Sequence, residues 1–210
     1  LFLDELPEFN RSVLEVMRQP LEDRVVTISR AKFSVEYPTS FMLIASMNPC
    51  PCGYYNHPEK DCVCAPGIVQ KYLNKISGPL LDRIDIHVEV TPVSFNELSD
   101  KRTSEKSEKV RERVVRAREI QRKRFEKNKG VHANSQMSSA ILKKICVIDD
   151  AGAQLLKTAM EKLGLSARAY DRILKVARTI ADLDNSDAIT TTHLAEAIQY
   201  RSLDREGWAG

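Results

Sequence analysis

Residues 1–9 read LFLDELPEF, an apolar run that turns abruptly into two adjacent carboxylates, Asp4 and Glu5. Leu1 to Leu3 predict a buried strand with the acids at its C-terminal tip. In open α/β sheets ligands bind at that edge. A carboxylate there can hold Mg²⁺ through water, because this ion keeps most of its hydration shell and takes few protein oxygens. A second can orient or deprotonate an attacking water. The pattern has a plain alternative, since strand ends also carry Asp and Glu as turn formers. Residues further along the chain decide between the two.

The chain has 210 residues, 42% hydrophobic and 29% charged, the balance of a soluble globular protein rather than a disordered one. That length suits one large domain or two small ones. No apolar run approaches the roughly 20 residues that span a bilayer, and no signal-peptide pattern is present. A cytoplasmic protein without a membrane partner is expected. With no initiator methionine, Leu1 reads as an internal residue and the chain as a fragment.

After Pro7, Phe9, Val13, Leu14, Val16 and Met17 predict one helix, which Pro20 stops. Residues 25–37 alternate with the two-residue period of a hairpin. FMLIASMN, residues 41–48, predicts a fully buried parallel strand closed by Asn48. Residues 68–90 predict a short helix, a Ser-Gly-Pro break and a third strand ending near Val90. Residues 92–104 read as a linker. A helix is expected from Glu105 to Lys127, with a narrow stripe of Val110, Val114, Ala117 and Phe125. Further helices are expected at 138–146, 149–163, 167–183 and 191–201. Gly164 is the predicted stop, and Ser166 and Thr191 or Thr192 are predicted N-caps. Strands therefore precede helices, an α/β core followed by a helical domain. The expected domains are 1–92 with a cysteine-rich insert at 49–66, 93–130 as linker and basic helix, and 131–210 as helical lid.

The net charge of +3 is unevenly spread: residues 101–130 hold 13 Lys or Arg against 5 Glu. Such a segment can follow phosphates, or it can be a solvated helix face.

Two acids, the Asn48 amide, Arg83 before the third strand, and Arg168 with Arg172 one turn on make a set suited to phosphoryl transfer. There catalysis is mostly positioning and charge neutralisation. Each arginine alone reads equally as a surface ion pair.

Cys50, Cys52, Cys62 and Cys64 form two C-x-C pairs separated by a turn-rich loop. Four thiolates suit a tetrahedral, structural Zn²⁺ with no open position, and a metal would supply folding energy the loop lacks. His57 is an alternative ligand, and free thiols are the plain reading. Cys146, between Ile145 and Val147, reads as a buried apolar residue. His87, His132 and His193 are expected to be structural.

The stretches LFLDELPEF, MRQPLEDRVVTISRA, FMLIASMNPCPCG, KISGPLLDRIDIHVEV and LSARAYDRILKVARTIADL resemble AAA+ ATPases of the magnesium-chelatase-like group, the ComM (YifB) type in particular. That resemblance implies a partial AAA+ P-loop NTPase core with a pre-sensor hairpin, followed by an all-α lid. It implies that Asp4 and Glu5 are the Walker B acids and Asn48 is sensor 1. Arg83 is implied as the arginine finger offered to a neighbouring subunit, and Arg168 as sensor 2, with Arg172 the alternative. ATP and Mg²⁺ would be the ligands. The partners would be copies of itself in a hexameric ring, and DNA, as a helicase or branch-migration factor in recombination and natural transformation. Two other functions compete: a chelatase-type motor driving metal into a porphyrin, and a zinc-stabilised DNA-binding or adaptor module without ATPase activity. The family's phosphate loop, G-x-x-x-x-G-K-[ST], is absent from these residues. The chain is therefore expected to start after that loop and to neither bind ATP tightly nor hydrolyse it alone.

Overall fold

The computed structural model describes residues 1–93 and 105–201, which fall into two units divided between Ile84 and Asp85. In the first unit, two short strands, β1 (Phe2–Leu3) and β4 (Ile44–Ala45), pair in parallel, with Phe2 opposite Ile44 and Leu3 opposite Ala45. Backbone bonds extend the pairing: Ile44 N–H donates to the Leu1 carbonyl at 2.9 Å, Ser46 N–H to Leu3 at 3.0 Å, and Leu6 N–H to Ser46 at 2.9 Å. The pairing agrees with the sequence expectation, but the burial does not. Phe2 is 62% and Ile44 50% exposed. A parallel strand is buried when both its faces are covered, and among the described residues β1 and β4 have only each other as ladder partners.

The hairpin forms as its alternation dictates, from β2 (Val25–Arg30) and β3 (Phe33–Pro38), antiparallel with Ile28 opposite Val35. The helix expected before it is divided. A 3₁₀ turn at Leu6–Glu8 carries Pro7 at its start. Then come α1 (Arg11–Val16) and α2 (Arg18–Asp23). Pro20 does not stop a helix but sits within the first turn of α2, where a missing N–H costs nothing because that donor has no intrahelical partner. Two more short helices come after the cysteine loop, α3 (Ile68–Leu73) and α4 (Gly78–Leu81). Leu6, Leu14, Ile76, Leu80 and Leu81 form the core beneath the strand tips.

In the second unit, the predicted third strand is absent: residues 85–93 form no ladder among the described residues. Ile86, Val88 and Val90 are exposed, and His87 is buried. Its N–H donates to the Tyr200 carbonyl at 2.8 Å. An apolar run becomes a strand only where a neighbour supplies hydrogen-bond partners. The predicted linker lies largely outside the described residues. α5 (Ser107–Phe125) buries Ala117 and Phe125, while Val110 and Val114 of the expected stripe are 39% and 44% exposed. The remaining helices lie within two residues of their predicted spans: α6 (Ser139–Ile145), α7 (Asp150–Leu163), α8 (Ala167–Leu183) and α9 (Thr191–Gln199).

Capping explains that agreement. Ser166 Oγ accepts from Ala169 N–H at 3.2 Å, and Gly164 ends α7 at φ 61°, a left-handed conformation that glycine adopts without strain. Thr190, not Thr191 or Thr192, caps α9, with His193 completing a reciprocal capping box. Cys146 is buried, and burial pushes its thiol up to about 11.

A buried polar network closes this helical core. The Asp182 carboxylate accepts from Arg124 at 2.5 and 2.7 Å, from Asn134 at 2.8 Å and from Arg178 at 3.1 Å. Its side chain is 0% exposed, and that of Arg178 is 3%. Substituting Asp182→Ala leaves buried guanidinium charge uncompensated. Denaturant unfolding should show a loss of about 3–5 kcal/mol; a change below about 1 kcal/mol would mean the network contributes little beyond a surface pair.

Candidate functional site

Parallel pairing sends β1 and β4 out at the same edge. Asp4 and Glu5 follow β1 directly, and Asn48 follows β4 three residues on; all three are exposed. The structure therefore brings these sequence-predicted residues to one edge of one sheet. Asp4 Oδ1 accepts a very short hydrogen bond from the Ser46 hydroxyl and one from Glu5 N–H at 3.1 Å. These donors fix the carboxylate plane and leave Oδ2 without a hydrogen bond from the described residues. Holding a carboxylate by one oxygen while the other faces out is how outer donors orient a metal ligand. Glu5 has φ 51° and ψ 53°, a left-handed conformation that costs a non-glycine residue about 1–2 kcal/mol. The turn lets Leu6 N–H reach back to Ser46 while the Glu5 side chain stays at the rim. Ser46 is a site residue that motif reading misses; its signal is a lone hydroxyl in an otherwise apolar run.

The predicted arginines stand differently. Arg83, in the first unit, is held inward: Nε lies 3.0 Å from Glu22 Oε2 with the side chain only 9% exposed, and Nη1 donates to the Pro79 carbonyl at 2.6 Å. Arg168 and Arg172 belong to the second unit. Arg168 is exposed in the first turn of α8. Arg172 is tied by a very short bond to Asp85 Oδ1, its side chain 16% exposed.

The four predicted cysteine ligands converge. Cys50, Cys52, Cys62 and Cys64 place their sulfurs within 4.8 Å of one another, and none is in a disulfide. Sγ–Sγ separations are 3.3 Å for Cys50–Cys52, 3.5 Å for Cys52–Cys62 and 3.7 Å for Cys50–Cys62. A tetrahedron with Zn–S bonds of about 2.3 Å has its sulfurs roughly 3.8 Å apart, so the donor set fits zinc. Backbone geometry prepares the site. Gly53 turns at φ 82°, Gly53 N–H donates to the Cys50 carbonyl at 3.0 Å, and Tyr55 N–H donates to Cys50 Sγ at 3.3 Å. His57 is not among the clustered donors; its Nδ1 accepts from Glu59 N–H at 3.1 Å.

The thiols differ in acidity. A backbone hydrogen bond at Tyr54, ahead of bonds from Cys50, Val63 and Cys64, lowers Cys52 to about 6. Cys62 is pushed up to about 12, because burial and the neighbouring sulfurs outweigh a backbone bond from Cys64. Metal held by all four sulfurs would shield them, so saturating zinc should protect Cys50, Cys52, Cys62 and Cys64 from brief iodoacetamide treatment that labels chelated protein, as read by peptide mass mapping; equal labelling with and without zinc would contradict a four-thiolate site.

The profile of magnesium chelatase subunit ChlI matches residues 1–98, and that of the ChlI C-terminal region matches residues 104–201. The chain is 45% identical over 208 residues to "Competence protein ComM" of Haemophilus influenzae, covering 98% of the chain and 39% of that protein. It is 43% identical over 209 residues to YifB of Escherichia coli, covering 98% of the chain and 39% of that protein. An uncharacterised Mycobacterium tuberculosis protein is 36% identical over 201 residues, 96% of the chain and 39% of that relative. The chain belongs to the magnesium-chelatase-like AAA+ family, in the group that contains ComM and YifB. It spans 39% of the length of the curated relatives it matches. Among the described residues no helix is long and apolar enough to cross a membrane.

Proposed function

We propose that this chain is the Walker-B-to-lid portion of an ATP-hydrolysing AAA+ motor that assembles as a hexameric ring and acts on DNA in the cytoplasm. The observation that carries the reading is the parallel pairing of β1 and β4, whose shared C-terminal edge is followed by two carboxylates on one strand and an amide on the other. Mg²⁺ neutralises phosphate charge when bound, and Asp4, oriented by Ser46, would hold it through water. Glu5, at the rim, orients and deprotonates the attacking water. Asn48 adds a neutral hydrogen-bond donor for that water or the terminal phosphate. Arg168, in the first turn of the lid helix, is read as sensor 2, with Arg172 one turn on as the alternative. Arg83 serves a neighbouring subunit once it exchanges Glu22 for phosphate. Cys50, Cys52, Cys62 and Cys64 hold a structural zinc. Residues 1–92 form the core, 93–130 the connector and 131–210 the lid.

DNA as client draws support from the competence protein among the relatives and from the local excess of basic residues at 101–130. A chelatase-type motor acting on a porphyrin is the second reading, favoured by the ChlI family match. A zinc-stabilised adaptor leaves the shared edge without a role. These 210 residues contain no G-x-x-x-x-G-K-[ST]; the chain by itself should show no ATP turnover, and the test belongs in the complete protein.

There, Glu5→Gln should lower kcat for ATP hydrolysis about a hundredfold or more while nucleotide binding persists, as expected on loss of a general base. Single-stranded or branched DNA should stimulate the unsubstituted protein, and protoporphyrin should not. Unchanged turnover in Glu5→Gln would remove the motor reading; stimulation by porphyrin alone would favour the chelatase one.

A further inference from the structure

The residues beside the strand tips and those that build the cysteine site share packing. We propose that the four-thiolate centre is a positioning element for hydrolysis: metal held there keeps Asn48 in register with Asp4 and Glu5, so that losing the metal lowers turnover without lowering nucleotide affinity. This rests on reading that edge as hydrolytic and the cysteines as a zinc site.

Asn48 lies between two anchored residues. Met47, immediately before it, packs both on the core beneath the strand tips and on the core around the cysteines. Cys50, two residues after it, is 0% exposed and packs with Val69, Tyr72 and Leu73 of α3. Pro49 stiffens the link between them, because its ring fixes φ. Asn48 therefore has little freedom while Cys50 is held.

What holds Cys50 in turn is the loop that brings Cys62 and Cys64 back to it. No residue from 53 to 61 is buried, so the loop has no core of its own. A bound metal would supply that energy, since metal binding to a site unformed in the flexible chain is folding free energy. Loss of the metal frees Cys50 and, through Pro49, the amide of Asn48.

α3 itself also connects the cysteine site to the acidic tip. Tyr72 is 6% exposed. Its ring packs in the core around the cysteines, with Lys75 Nζ 5.4 Å from the ring centre. Just past α3, Lys75 Nζ lies 3.6 Å from Glu8 Oε2. Strand tip, helix and cysteine site thus form one small unit around Asn48, and a displacement of about 1 Å at a reacting centre can cost a hundredfold in rate.

The test uses the complete protein with two substitutions, Cys62→Ser and Met47→Ala. Zinc per chain, affinity for a fluorescent ATP analogue, steady-state kcat, and amide exchange at Leu6 and Ser46 are measured. Cys62→Ser should lose zinc, exchange faster at both amides, and fall about tenfold or more in kcat with affinity within about twofold. Met47→Ala should keep its zinc and still lose kcat at unchanged affinity, because it cuts the link and spares the site. Normal kcat in either variant overturns the proposal. So does a loss of affinity matching the loss of kcat, which would make the metal a support for the fold alone. A wild-type protein without zinc overturns the metal reading and this proposal together. A zinc-loaded wild type without ATP turnover overturns the motor reading alone, and the exchange difference between zinc-loaded and chelated protein still decides the coupling.

Discussion

Parallel pairing of β1 with β4 is the constraint on which the proposed chemistry depends. Had the two strands run antiparallel, Asp4 and Asn48 would leave the sheet at opposite ends, and no shared site would exist. The register is held by backbone bonds from Ser46 N–H to Leu3 and from Leu6 N–H to Ser46. The Ser46 hydroxyl then reaches Asp4 across the same junction. One residue thus joins the ladder and the carboxylate. The left-handed turn at Glu5 results from this arrangement, since the chain must reverse at once to satisfy Leu6 N–H. Strain at such a position persists where surrounding structure over-determines it, and here two strands and a buried Leu6 do so.

The helical unit is built on a different principle. Charge is gathered inside it: Asp182, near the end of α8, accepts from Arg124, Arg178 and Asn134. The 17-residue helix α8 carries that anchor near its C-terminal end and Arg168 in its first turn. A helix pinned at its C-terminal end by a fully satisfied buried network makes a stiff carrier for a side chain at its N-terminal end. Arg172, one turn in, is held by Asp85 within the same unit.

How far the sequence could be read depended on the range of the interactions involved. Helices α6 to α9 were legible because their signals are local: a 3.6-residue period, Ser166 as cap, Gly164 as stop. The two C-x-C pairs were legible because thiol spacing limits what four sulfurs can bind. The acidic tip and Asn48 were legible as strand ends, but their juxtaposition needed the parallel pairing. Burial was misjudged wherever it depended on partners. Leu1 to Leu3 and residues 41–48 have the composition of buried strands, yet exposure is set by what covers them. The run ending near Val90 has the alternation of a strand and forms none among the described residues, for want of a neighbour. Pro20 reads as a helix stop, although position within the first turn makes it harmless. Nothing near Arg83 in sequence announces Glu22, which lies some 60 residues earlier and meets it only through folding.

The central claim is that Asp4, Glu5 and Asn48 surround one metal–phosphate site. The most direct measurement is a structure of the complete protein with a non-hydrolysable ATP analogue and Mn²⁺ in place of Mg²⁺, located by its anomalous scattering. The account predicts the ion beside the free oxygen of Asp4, joined through water, with Glu5 and Asn48 facing the terminal phosphate. Nucleotide and ion bound away from the C-terminal edge of β1 and β4 would contradict it.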